Sequence, residues 1–151
     1  MLIECLVYVA VFTVIVGLGL ATFYLCWDSS KALRYATDDI AAALRAGERW
    51  RADVRSATGE ITVETTSAGE LLRIPHGTNE VIYRFNAGEI RRQSASTGFA
   101  EPILTAVRVS QMTMDSRGPV NAWRWELELK PRRPETRLPL LFTFEATKTA
   151  P

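Results

Sequence analysis

The feature that most constrains this chain is an apolar stretch without a charged residue, running from Cys5 to Cys26. A bilayer core about 30 Å thick is crossed by about 20 helical residues, each rising about 1.5 Å. The stretch is long enough and contains no proline. Helices in soluble cores seldom run so far with every face apolar. We therefore predict a membrane-spanning helix in residues 1–26, with a cleaved secretory signal as the alternative.

The rest of the chain carries an ordinary charge. The 151 residues include 18 Lys and Arg against 17 Asp and Glu, for a net charge of +1. Such a balance predicts no general attraction to nucleic acid or to anionic lipid. Every Lys and Arg lies beyond Ser30. The apolar N-terminal segment, residues 1–26, which we call the apolar head, is therefore followed by one charged domain of modest size.

A single carboxylate, Glu4, lies near the tip of the apolar head. An ionisable group in hydrocarbon costs about 3 kcal/mol or more unless it is paired or reaches the interface. Glu4 lies one turn from the chain end, where it can reach the lipid surface. It can also meet a positive charge from a neighbouring chain. Its position alone leaves both interpretations open.

The N-terminal pattern LIECLVYVAVFTVI resembles the start of type IV pilins and type II secretion pseudopilins, most of all the minor pseudopilin J and minor pilin W types. Mature chains of that family usually begin Phe-Thr-Leu-Ile-Glu, and Leu2, Ile3 and Glu4 match the last three positions. The resemblance implies that Glu4 pairs with the methylated N-terminal amine of an adjacent subunit. It also implies processing by a prepilin peptidase, which requires a leader ending in Gly upstream of Met1.

Residues 27–56 continue the helical pattern as an amphipathic segment without proline. Apolar and small residues recur there at steps of three and four, namely Leu33, Ala36, Ile40, Ala43, Gly47, Trp50 and Val54. This narrow stripe predicts a helix face packed on a sheet. No turn signal separates it from the head, so we predict one helix from about residue 2 to 56, with Gly17 and Gly19 permitting a bend. Two helices with a break near residues 27–30 are the alternative.

Beyond Gly59 the sequence alternates between apolar and polar residues and contains turn signals. Predicted strands cover residues 60–65, 70–74, 80–85, 89–93 and 120–130, followed by a last strand containing Leu140, Phe142 and Phe144. The segment Asn86-Ala87-Gly88 predicts a hairpin turn. The apolar phase slips between Val107–Val109 and Met112–Met114, which predicts a bulge at Ser110-Gln111.

These strands predict an antiparallel sheet with one covered face. The alternation is clearest where Trp123, Trp125, Leu127 and Leu129 face one way. The predicted fold class is α+β, with a long N-terminal helix packed on an antiparallel sheet of five to seven strands in a domain of residues 57–151. The resemblance implies that this fold is pilin-like. Residues 94–102 and 131–137 are the predicted loops.

The sequence contains no recognisable catalytic pattern. The only histidine, His76, lies in the turn-rich segment 75–79 and is predicted to be a solvated loop residue. We find no Gly-x-Ser-x-Gly elbow, phosphate loop or zinc spacing. Asp38 and Asp39 point about 100° apart on a helix and do not converge. We therefore expect no catalytic residue, no cofactor and no metal.

Four arginines, Arg45, Arg49, Arg51 and Arg55, could touch phosphate groups, but Glu48 and Asp53 lie among them. Nucleic-acid binding is therefore not expected. The prediction is a non-enzymatic assembly subunit. By resemblance it is a single-pass protein of the bacterial inner membrane, with its C-terminal domain in the periplasm and other pilin or pseudopilin subunits as partners. A membrane-anchored ligand-binding or sensor domain is the alternative.

Overall fold

The computed structural model describes residues 2–66, 69–95, 98–117, 120–131 and 139–149. In these residues one helix precedes two antiparallel sheets, which confirms the predicted α+β class with a long N-terminal helix. The elements are α1 (Leu2–Arg55), β1 (Thr62–Thr66), β2 (Gly69–His76), β3 (Asn79–Asn86), β4 (Glu89–Ser94), β5 (Ala100–Leu104), β6 (Val107–Arg117), β7 (Val120–Leu129) and β8 (Leu140–Thr149). The chain divides into two compact units, residues 1–39 and 40–151.

The first unit consists of α1 up to Asp39. The helix continues through Gly17, Gly19 and the segment 27–30, so the alternative of two separate helices is wrong. By length and composition α1 can span a membrane. The second unit contains the remainder of α1 and both sheets.

The first sheet is an antiparallel meander in the order β1-β2-β3-β4-β5. The predicted turn after Asn86 is confirmed, with Ala87 and Gly88 at φ 51° and 82°. The segment 75–79, predicted as a loop, is instead a tight hairpin in which His76 pairs with Asn79. Gly77 has φ 62°, a value that glycine adopts without strain, and this allows the hairpin to close over two residues.

The predicted loop 94–102 is wrong at its far end, because β5 begins at Ala100. β5 contains Pro102, and a proline cannot donate a backbone hydrogen bond to a sheet. Edge strands tolerate proline because one of their sides needs no partner, and β5 is the last strand of its sheet. Of the second predicted loop, residues 132–137 lie outside the described residues.

The second sheet has the order β6-β7-β8, so the strands form two sheets where one was predicted. The irregularity in β6 falls between Val107 and Val109, earlier than predicted. It turns Val109 outward and Ser110 inward. The sequence suggested the reverse, because a valine is more apolar than a serine.

The core of the second unit lies between α1 and the inner faces of both sheets. Trp50 of α1 packs on Trp125 of β7 with ring centroids 5.7 Å apart, and Trp125 packs on Phe144 of β8 at 5.6 Å. The four predicted inward residues of β7, Trp123, Trp125, Leu127 and Leu129, are all buried. Burial of these large rings anchors the helix on the sheets.

Candidate functional site

The first turn of α1 contains Glu4, the residue for which the resemblance implies an assembly role. A carboxylate there interacts favourably with the positive end of the helix dipole. Leu2 and Ile3 occupy the same turn, and Ile3 is 81% exposed. Successive helix residues point about 100° apart, so Ile3 and Glu4 do not converge on a pocket at the tip of the helix.

Behind Glu4 the helix presents apolar side chains on all sides, and those from Ile3 to Leu25 are exposed. The two threonines of this segment have their hydroxyl groups bonded to the helix itself. Thr13 donates to the carbonyl of Val9 at 2.7 Å, and Thr22 donates to that of Leu18 at 3.0 Å. A threonine that bonds the preceding turn does not need water. This helix surface therefore suits lipid, or other helices, better than water.

The four residues predicted to pack on the sheet have different surroundings. Trp50 and Val54 are completely buried in the core, as that prediction requires. Ile40 is 37% exposed and Leu33 is 69% exposed. Burial of the stripe begins at Ala43, so the predicted packing extends too far toward the N-terminus. The periodicity could not reveal this limit, because the apolar pattern continues unchanged on the N-terminal side of Ala43.

A buried ionic cluster that the sequence analysis missed joins α1 to the first sheet. The Asp53 carboxylate accepts bonds from Arg92 Nε and Nη2 of β4 at 2.8 and 3.0 Å. It also accepts the hydroxyl of Tyr83 of β3 at 2.5 Å. The side chains of Asp53 and Arg92 are only 11% and 15% exposed. Three charge-assisted hydrogen bonds thus hold one carboxylate between the helix and two strands.

This cluster shifts two proton equilibria. Burial, followed by the neighbouring Asp53 charge, raises the pKa of Tyr83 above its ordinary value. The hydrogen bond to Asp53 is the main cause that raises the pKa of Arg92. Both groups therefore keep their protons and serve as donors to Asp53. The position of Asp53 next to the predicted packing residue Val54 was a sequence signal that Asp53 lies near the core. The sequence could not identify its partners, because Tyr83 and Arg92 come from distant strands.

The other described residues that could bind a metal ion or a phosphate group do not converge on one site. No group of three His, Cys, Asp or Glu side chains among the described residues is placed to hold a metal ion. His76 ends β2, partly buried. Two of the four arginines face carboxylates, Arg49 opposite Glu101 at 3.3 Å and Arg51 opposite Glu48.

Three open clefts lie on the described surface of the second unit, and the smallest of them, beside Trp123, measures about 180 Å³; the two larger ones lie elsewhere. One, of about 220 Å³, lies beside Arg45 and Arg49 of α1 and the edge strand β5. The other, of about 300 Å³, lies on the outer face of the second sheet near Val109 and Leu141. Pockets for small ligands usually measure about 300–1,000 Å³ and are concave and largely apolar. Both larger clefts are open to solvent rather than enclosed, so among the described residues the exposed surface of α1 is the stronger candidate site.

Neither a family model, nor a curated protein, nor a solved structure matches this chain.

Proposed function

We propose that this protein is a structural subunit, of the minor pilin or pseudopilin class, in a type IV pilus or a type II secretion pseudopilus. The observation that carries the proposal is a long helix with Glu4 in its first turn and an exposed apolar surface behind it. A packed α+β unit follows that helix. This arrangement supplies the two parts that a pilin-like subunit needs, an assembly helix and a folded domain.

The proposed mechanism begins in the bacterial inner membrane. There α1 holds the subunit in the lipid, with the folded domain on the periplasmic side. During assembly the helices of neighbouring subunits replace lipid around α1. The hydroxyl groups of Thr13 and Thr22 are already bonded within the helix, so this exchange leaves neither hydroxyl unpaired.

Glu4 would supply the register of the assembly. In the fibre core it would pair with the N-terminal amine of an adjacent subunit, where a low dielectric strengthens the attraction. A carboxylate left alone there would carry the large penalty of a buried unpaired charge. Assembly in a register that leaves Glu4 without the amine of a neighbour is therefore disfavoured. The proposed partners are other pilin or pseudopilin subunits.

The test is incorporation of Glu4 variants into fibres sheared from the native bacterium. We expect Glu4→Ala and Glu4→Gln to reach the membrane in normal amount but to be lost from the fibre fraction. Asp38→Ala is the matched control, because it removes another exposed carboxylate from the same helix. Normal incorporation of both Glu4 variants would refute the pairing mechanism.

A second test concerns processing. Intact mass and N-terminal sequencing of the native protein should reveal a trimmed chain with a methylated N-terminal amine shortly ahead of Leu2. That result requires a leader upstream of Met1 and cleavage by a prepilin peptidase. A cut near Ala21 would instead indicate a secreted domain and would remove the assembly mechanism.

A further inference from the structure

Three aromatic side chains and a lysine form a continuous exposed cluster at the end of the apolar span. Phe23 stacks on Trp27 with ring centroids 6.0 Å apart, and Tyr24 meets the edge of Phe23 at 6.1 Å. The ammonium group of Lys31 lies 5.4 Å from the centre of the Trp27 ring. We call Phe23, Tyr24, Trp27 and Lys31 the aromatic collar. The three rings are exposed by 58%, 67% and 53%.

We propose that the aromatic collar binds the head-group layer of a lipid bilayer and so fixes the depth of α1 in the membrane. Tyrosine and tryptophan favour this layer because their rings are apolar and their edges form hydrogen bonds. A lysine beside them can extend its ammonium group toward lipid phosphates while its stem stays against the ring. The collar lies where the uncharged segment ends, which is where such a layer is needed.

The collar also determines where Glu4 lies before assembly. Glu4 and Trp27 belong to the same unit and the same helix, and the rise of about 1.5 Å per residue separates them by about 35 Å. The hydrocarbon core is about 30 Å thick. With Trp27 in one head-group layer, Glu4 therefore lies in or close to the opposite layer. The carboxylate would then avoid hydrocarbon until the helix leaves the membrane.

This inference rests on the membrane-spanning part of the proposed function and deepens it. It assigns different tasks to the two ends of the apolar span: the collar holds the stored subunit at a fixed depth, and Glu4 pairs with a neighbour only in the fibre. Both tests below use the full chain in phosphatidylcholine–phosphatidylglycerol vesicles without other subunits. If these tests contradict the role of the collar, the result of the Glu4 incorporation experiment is unaffected, because that experiment measures assembly into fibres.

The first test uses the intrinsic fluorescence of Trp27. Trp50, Trp123 and Trp125 are at most 4% exposed, so lipid-borne quenchers report on Trp27. We expect strong quenching by lipids brominated near the head group and weak quenching by lipids brominated near the bilayer centre. Trp27→Phe should lose this depth-dependent quenching. Equal or stronger quenching from the bilayer centre, or no quenching at all, would overturn the proposal.

The second test measures the depth of the helix at its other end. In a Cys26→Ala background, Cys5 is the only thiol and reacts with a water-soluble maleimide supplied on both sides of the membrane. Removing the collar by Phe23→Leu, Tyr24→Leu, Trp27→Leu and Lys31→Leu together should let α1 slide along the bilayer normal and change the labelling rate of Cys5.

Phe12→Leu is the matched control for that experiment, because it removes an exposed ring from the middle of the span. Its labelling rate should equal that of the Cys26→Ala parent. If the variant without the collar is labelled at the parental rate, the collar does not set the depth. Efficient disulfide formation between the Cys26 residues of two copies of the unsubstituted chain in these vesicles would also contradict the proposal, because it would indicate that a second copy covers the collar.

Discussion

Gly47 of α1 lies directly against the ring of Phe144 in β8, so close that a Cβ at position 47 would overlap ring atoms. The ring has little room to retreat, because Phe144 is only 3% exposed and packs between Phe142 and Trp125. The helix reaches this close to the sheet because position 47 carries no side chain. Gly47 belongs to the predicted stripe, and its contact with Phe144 explains why a helix-weakening residue occurs there.

We therefore expect Gly47→Ala to destabilise the folded protein. Overpacking costs about 1–3 kcal/mol, which exceeds the gain of about 1 kcal/mol from replacing a helical glycine by alanine. Denaturant unfolding of the full chain in detergent measures the difference. Gly17→Ala is the control, since nothing lies within 4 Å of a Cβ there. Equal stability of the two variants would contradict the close approach.

Loss of the buried Asp53 carboxylate should lower the free energy of unfolding more than Gly47→Ala does. Asp53→Ala leaves the Arg92 guanidinium, 15% exposed, without its acceptor, and breaking a buried pair in this way costs about 3–5 kcal/mol. Glu101→Ala removes the partner of Arg49, a pair exposed by 46% and 61%, and should cost less than about 1 kcal/mol. The free energies of unfolding should therefore differ clearly. Similar values would mean that the buried cluster does not hold the helix.

Stability should also fall at alkaline pH because of Tyr83. Its pKa in the folded protein is raised by burial and by Asp53, so the folded state keeps a proton that the unfolded state loses near pH 10. The stabilisation is complete below that pH and is lost as the pH rises above it. Tyr83→Phe should reduce this alkaline slope in unfolding experiments. A slope identical to that of the parent protein would show that Tyr83 is not the cause.

The inward serine of β6 offers a fourth prediction. Ser110 is buried, and its hydroxyl accepts a hydrogen bond from the Trp125 indole at 3.0 Å. Ser110→Ala leaves that buried N–H unpaired, which costs about 1–3 kcal/mol. Ser116→Ala, which removes an exposed hydroxyl 3.1 Å from Asn121, should change the stability by less than about 0.5 kcal/mol. Thermal unfolding of the two variants provides the comparison.

The sequence predicted the elements whose signal is local. The apolar periodicity and the lack of proline predicted one continuous helix, and α1 extends without a break to Arg55. Strict alternation predicted the inward face of β7, and the turn residues after Asn86 predicted the hairpin. Each of these depends on neighbours within a few residues, where backbone geometry and side-chain pattern agree.

Other features depended on distant partners and were decided by the tertiary structure. The extent of the buried stripe depends on contacts with distant strands, which Trp50 makes with Trp125, and Leu33 is exposed although it continues the same pattern. Ser110 faces inward because Trp125 supplies a donor, and Asp53 is buried because Tyr83 and Arg92 converge on it. Local sequence determined which segments form helices and strands, and long-range packing decided which polar groups could be buried, because a buried polar group needs a partner from another element.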